Sequence, residues 1–124
     1  MANPNIVNVT TINGLTAANT PAITTATTLV SNSASSGQIY KINSLTATNM
    51  SGSSAVGCTV SFNNGASGSG TSYPIANTIP VPTNSSLLVI DKSSSIYLPE
   101  NTSIVVTSSV ASGLSFVCSY EVIS

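Results

Sequence analysis

The chain has 124 residues and carries only five charged side chains, Lys41, Asp91, Lys92, Glu100 and Glu121. They make up 4% of the sequence, whereas typical soluble domains contain about 25%. Two lysines cannot supply the phosphate contacts that nucleic-acid binding needs, nor a polybasic face for a membrane surface. The composition therefore excludes both kinds of partner.

Apolar residues make up 41% of the chain, which is enough for one core in a single domain spanning residues 1–124. Disordered chains show the opposite balance, with few aliphatic side chains and many charges. A free monomer with so little charge would have little protection against association. The composition thus favours a protein that works inside an assembly.

Alternation of apolar and polar residues with period 2 dominates the sequence, and helical periodicity is almost absent. The predicted strands are 5–13, 23–31, 38–49, 56–63, 73–81, 86–91, 102–108 and 114–122. Turn signals such as Asn13-Gly14, Ser36-Gly37 and Ser112-Gly113 separate them. Strands of this length and spacing predict an all-β fold, a single antiparallel β-sandwich of about eight strands with a jelly-roll or immunoglobulin-like topology.

The two cleanest strands define a predicted core. Apolar side chains occupy every second position in both 56–63 and 114–122, so one face of each strand should be buried. The predicted core residues are Val56, Cys58, Val60, Phe62, Leu114, Phe116, Cys118 and Tyr120.

Three other segments depart from simple alternation. The apolar parity changes between Ile42 and Leu45, which predicts a β-bulge or a shift of register. Segment 73–82 contains three prolines that cannot donate to a sheet, which predicts an edge strand or an extended arm. The Gly/Ser-rich stretch 63–72 is typical of a mobile hairpin loop.

The sequence offers no apparatus for catalysis, so we expect no enzyme, no cofactor and no metal site. There is no histidine to serve as a base or a ligand. Asp91 and Glu100 flank a turn and would make at best a weak calcium site, and solvated turn charges are the simpler interpretation. The first ten residues lack the features of a secretory signal, so Cys58 and Cys118 should be reduced thiols; a disulfide across the core is the alternative.

Two segments are candidates for a subunit interface because they carry apolar residues where a strand edge would be exposed. One is the N-terminal stretch and the other is the proline-bearing segment. The candidate interface residues are Asn5, Ile6, Val7, Val9, Tyr73, Ile75, Ile79 and Val81.

Several stretches together resemble the small virion structural proteins of tailed phages, especially contractile-tailed phages of cyanobacteria. They are the opening MANPNIVNVTTING, the middle VSNSASSGQIYKINSLTATN, the segment LLVIDKSSSIYLPENTSIVVTSS and the ending CSYEVIS. The run from Val89 to Lys92, followed by Ile96-Tyr97-Leu98 and Glu100, is the most specific of these pieces.

The resemblance implies a non-enzymatic component of a virion that assembles in the host cytoplasm. We expect a capsid decoration or cement subunit that docks on the major capsid protein, and a homo-oligomer, with a trimer favoured. A neck, tail or fibre-associated subunit is the first alternative. A receptor- or glycan-binding module on the virion surface is the second, and the absence of tryptophan counts against it.

Overall fold

The computed structural model describes residues 9–124, which form an almost entirely β structure. Two single turns of 3₁₀ helix interrupt the strands, at Ala66–Gly68 and at Lys92–Ser94. The nine strands of the described residues are β1 (Ile12–Asn19), β2 (Thr27–Asn32), β3 (Ile39–Asn49), β4 (Val56–Asn63), β5 (Ser72–Val81), β6 (Ser86–Ile90), β7 (Ile96–Leu98), β8 (Thr102–Ser108) and β9 (Leu114–Ile123).

The strands form two antiparallel sheets, which confirms the predicted β-sandwich. Sheet A has the order β1-β9-β3-β6, with the short β7 also pairing with β3, and sheet B has the order β2-β8-β4-β5. The first strand therefore pairs with the last, the second with the penultimate, and the fourth with the fifth. This nested order is that of a jelly roll.

The core lies between the sheets and contains the residues that the alternation predicted. Val56, Cys58 and Val60 of β4 and Leu114, Phe116 and Cys118 of β9 are fully buried. Phe62 and Tyr120 pack against this cluster but stay partly exposed, so they border the core rather than fill it. Tyr120 stacks on Tyr40, with ring centroids 5.5 Å apart.

The predicted bulge is confirmed in β3. Against β9, Ile42 pairs with Tyr120 and Ser44 pairs with Ser119, so Asn43 is the extra residue. The bulge allows Ile42 and Leu45 both to face the core. On the far side of β3, β7 pairs with one half of the strand and β6 with the other. The short β7 was not predicted as a strand, and it raises the count from eight to nine.

The predictions for the first two strands were wrong in their boundaries. Residues 5–8 of the first predicted strand lie outside the described residues; residues 9–11 are not in a strand, and β1 begins at Ile12 and runs through the predicted turn at Asn13-Gly14. The long β9 offers partners to all eight residues of β1, from Ile12↔Ile123 to Asn19↔Phe116, and this pairing outweighs the local turn signal. Strand β2 begins at Thr27, because the chain bends over residues 22–25 after the buried Pro21.

Each of β2, β3 and β4 ends on a buried asparagine that holds the loop that follows. The Asn32 amide donates to Gln38 O and Leu98 O, and the Asn49 amide donates to Ser54 O and Val81 O. Asn63 makes four hydrogen bonds to residues of the loop 64–71 and to Ser72. A buried amide at a strand end thus supplies partners to backbone groups that leave the sheet.

The loop 64–71, predicted to be mobile, is fixed against the outer face of sheet B. Ser67 N donates to Ser31 Oγ, Gly68 N donates to Ser103 Oγ, and Ser103 Oγ donates to Gly65 O. Ser31 and Ser103 are cross-strand neighbours on β2 and β8. The small polar residues of this face therefore bind the loop, which a composition-based prediction of mobility does not consider.

Among residues 9–124, no helix is long and apolar enough to span a bilayer.

Candidate assembly surface

Strand β5 is the edge of sheet B, as the prolines predicted. It pairs with β4, with Pro80 opposite Gly57 and Pro74 opposite Ser61. Among the described strands, none pairs with its other side. An edge strand is where proline is tolerated, because its missing N–H costs no ladder hydrogen bond there.

The β5 edge exposes large apolar side chains. Tyr73 is 54% exposed, Ile75 is 40% exposed and Ile79 is 39% exposed. The pairing of β4 with β5 shifts register between Cys58 and Val60 and again between Val60 and Ser61. We call Tyr73, Ile75 and Ile79 the β5 edge patch.

The other candidate interface residues are not part of this exposed patch. Val81 is buried in the chain's own core, opposite Val56, so it is not available to a partner and this part of the prediction was wrong. Val9 is half-buried at the start of the described chain. Asn5, Ile6 and Val7 lie outside the described residues.

A second exposed apolar region was missed by the sequence analysis and lies at strand β1. Leu15 is 47% exposed although its cross-strand neighbours Tyr120 and Ile42 belong to the core-facing side of sheet A. Beside it is an open groove of about 520 Å³. The residues that line the groove are Ile12, Asn13, Gly14, Leu15, Gln38, Tyr40 and Val122.

The outer face of sheet A carries a third, smaller apolar feature. Val117 and Leu88 are both exposed there, and Thr46 lies opposite each of them in the sheet register. The three side chains form one row across β9, β3 and β6. Only two of its three side chains are aliphatic, and scattered exposed aliphatic residues are common on soluble proteins.

The carboxylates near the predicted turn serve as caps. Asp91 accepts hydrogen bonds from the backbone and hydroxyl groups of Ser93 and Ser94 at 2.7–3.1 Å. These hydrogen bonds hold the pKa of Asp91 below its ordinary value, and the bond from the Ser93 side chain has the largest effect. Glu100 Oε2 accepts from Gly37 N at 2.6 Å. The described residues hold no group of three His, Cys, Asp or Glu side chains that could bind a metal ion.

The two cysteines are buried free thiols, and they lie on different sheets, Cys58 on β4 and Cys118 on β9. Burial raises the pKa of Cys58 to about 11 and that of Cys118 to about 12. A thiol with such a pKa is almost wholly protonated at neutral pH and is a poor nucleophile. Neither cysteine is part of the exposed surface.

Comparisons with known proteins concern the fold. The sequence matches no protein-family model, and no curated protein matches it. The structure is similar to a solved structure of Bacillus endospore appendages, described as a novel family of disulfide-linked pili, with a TM-score of 0.53 and 19% sequence identity. The similarity covers 99% of this chain and 95% of the other. It shows a shared fold over the whole chain.

Proposed function

We propose that this protein is a non-enzymatic structural subunit that assembles with other protein subunits and uses the β5 edge patch as a contact. The observation that carries the proposal is an exposed apolar edge strand on a chain with only five charged residues. Natural proteins protect strand edges with charge, proline or bulges, and although the prolines and register shifts of β5 hinder the addition of another strand, they leave its exposed apolar side chains uncovered. Here a partner subunit supplies that cover.

The rest of the surface suits extended contact. It is rich in Ser, Thr and Asn, and neutral polar groups are buried at less desolvation cost than charges. The two carboxylates nearest each other in the sequence, Asp91 and Glu100, are both engaged in holding turns. Their engagement supports a structural role over a catalytic one.

The sequence resemblance supports a virion as the assembly. On this proposal the chain is a capsid decoration subunit that docks on the major capsid protein of a tailed phage. Its small size and its jelly-roll fold suit repeated docking on a symmetric shell.

A homopolymeric filament is the second candidate, and the fold similarity to the endospore appendages supports it. Those appendages are described as disulfide-linked. The present chain has two cysteines, and both are buried in its core. A filament of this protein would therefore be held by non-covalent contacts, and a reductant would leave it intact.

The test compares the parent with an Ile75→Ser/Ile79→Ser variant. Both side chains are about 40% exposed, so the variant should still fold, and its melting temperature checks this. We expect the parent to sediment as an oligomer or to bind purified capsid shells. The variant should sediment as a monomer and should not bind the shells. Ile23→Ser is the control, because Ile23 is also an exposed isoleucine, at 54%, but lies in the bend before β2.

The same measurement separates the candidates. Filaments formed by the pure protein favour the pilus-like assembly, and binding that requires shells favours the virion. A parent that stays monomeric at high concentration and binds no shell would contradict the proposed function.

A further inference from the structure

We propose that the open groove beside β1 receives the N-terminal segment, residues 1–8, of a neighbouring copy of the same chain. The inference rests on the proposed function, since it names a contact within the assembly. Three features of the structure support it: the groove is an uncovered continuation of the core, its lining carries no charged side chain, and the described chain enters the strand that lines it through Thr10 and Thr11.

The groove continues the core-facing side of sheet A. Along this side, the cross-strand row of Ala17, Cys118 and Leu45 is fully buried at Cys118 and Leu45 and half-buried at Ala17. The next row, Leu15, Tyr120 and Ile42, is covered at Ile42 but open at Leu15. The row after that, Asn13, Val122 and Tyr40, lines the groove. The core-facing side of sheet A is therefore buried at one end and exposed at the other, where no apolar side chains of the described residues pack against it.

The chemistry of the groove fits that of the segment. Leu15 and the partly exposed ring of Tyr40 supply apolar surface, Val122 is only 7% exposed and adds little, and the amides of Asn13 and Gln38 supply hydrogen-bond donors and acceptors. The segment MANPNIVN has adjacent aliphatic residues at Ile6 and Val7, with asparagines on both sides and no charged side chain. Apolar side chains can therefore meet apolar lining while side-chain amides pair with amides.

The position of Thr10 and Thr11 favours binding of the N-terminal segment in the groove of a neighbouring molecule rather than in the groove of its own molecule. Thr11 N donates to Ser124 O at 3.0 Å, Ser124 N donates to Thr11 O at 3.0 Å, and Thr10 N donates to Ser124 O at 2.6 Å. These hydrogen bonds direct residues 10 and 11 along the axis of β1, whereas the groove lies beside residues 12–15. Eight extended residues span up to about 27 Å, which is enough to reach an adjacent subunit.

The experiment uses full-length chains with single cysteine substitutions. Chains with Val7→Cys are mixed with chains with Leu15→Cys that carry a tag of different mass, assembled, and oxidised. The native thiols are buried and stay silent under these conditions. We expect a disulfide-linked product of intermediate mass on a non-reducing gel. Leu88→Cys in place of Leu15→Cys is the control, because Leu88 is exposed on the opposite face of the same sheet.

Each alternative result overturns the proposal. Equal cross-linking to Leu88→Cys would show contact without specificity for the groove. Cross-linking only within a single chain that carries both Val7→Cys and Leu15→Cys would place the segment in its own groove. Assembly without any cross-link would refute the groove contact and leave the proposed function standing, whereas a parent chain that neither self-assembles nor binds capsid shells would refute both.

Discussion

Asn63 and Gly70 hydrogen-bond to each other twice, since Gly70 N donates to Asn63 Oδ1 at 2.8 Å and Asn63 Nδ2 donates to Gly70 O at 3.1 Å. The same oxygen accepts from Gly65 N at 2.9 Å, and the same nitrogen donates to Ser72 Oγ at 2.9 Å. One buried amide therefore closes the whole loop between β4 and β5. The close approach requires glycine, because a Cβ at position 70 would lie 2.7 Å from the backbone nitrogen of Gly65.

Asn63→Ala should lower the free energy of unfolding by about 2–4 kcal/mol, because it removes four hydrogen bonds and leaves two backbone N–H groups without their acceptor. Chemical denaturation measures the loss. Asn64→Ala is the control, since the exposed Asn64 side chain holds only Thr71 N, and it should cost less than about 1 kcal/mol. Equal losses in the two variants would contradict the role given to Asn63.

The burial of the asparagines that end β2, β3 and β4 could not be predicted from the sequence. Asparagine is common in turns, and nothing local in the sequence shows that Asn32, Asn49 and Asn63 are buried with their amides saturated. Their partners include Leu98 O and Val81 O, which are distant along the chain. Period-2 alternation, in contrast, is a local signal, and it predicted β4, β9 and the shared core correctly.

Phe116→Ala should destabilise the protein by about 3–5 kcal/mol, because Phe116 is a fully buried aromatic residue between the sheets and its loss leaves a cavity. Val117→Ala is the matched control on the next residue of β9, where the side chain faces outward and is exposed. We expect a change below about 1 kcal/mol there. Thermal or denaturant unfolding of both variants makes the comparison, and a small loss for Phe116→Ala would contradict the assigned core.

The candidate surface was predicted in part. Proline has a direct physical effect on sheet pairing, so the three prolines of segment 73–82 by themselves predict an edge strand or an extended arm. The groove beside β1 could not be predicted, because Asn13-Gly14 is a strong turn signal and the pairing of β1 with β9 overrides it. Val81 was assigned to the surface because alternation alone does not tell which apolar residues of an edge strand reach the core.

The buried thiols predict a loss of stability in alkali. The pKa values of Cys58 and Cys118 rise from 9.0 to about 11 and about 12 on folding. Above pH 9 the unfolded chain therefore releases thiol protons that the folded chain keeps, and the free energy of unfolding falls with a slope that approaches about 1.4 kcal/mol per pH unit for each thiol. The contribution is fully present below pH 9.

Denaturation curves between pH 8 and pH 11 test this slope. Cys58→Ala should lower stability at pH 8 and also flatten the alkaline slope, because one of the two titrating thiols is gone. A variant with the parent's slope would show that the thiols do not titrate on unfolding. Labelling at pH 8 with a thiol reagent should be slow in the folded protein and fast in denaturant.

The Asp91 cap predicts a loss of stability in acid. Its hydrogen bonds from Ser93 and Ser94 need the ionised carboxylate, so folding lowers the pKa of Asp91 from its ordinary value of 3.8. A group with a lowered folded pKa contributes stability above its unfolded pKa and loses that contribution as the pH falls through its folded pKa. Asp91→Ala should therefore be less stable than the parent at pH 6, and the difference should shrink below pH 4.

Asp91→Asn is the control, because a neutral amide still caps the 3₁₀ turn at all pH values. Melting temperatures of the three proteins from pH 2 to pH 7 measure the effect, and a difference between parent and Asp91→Ala that persists unchanged to pH 2 would contradict it.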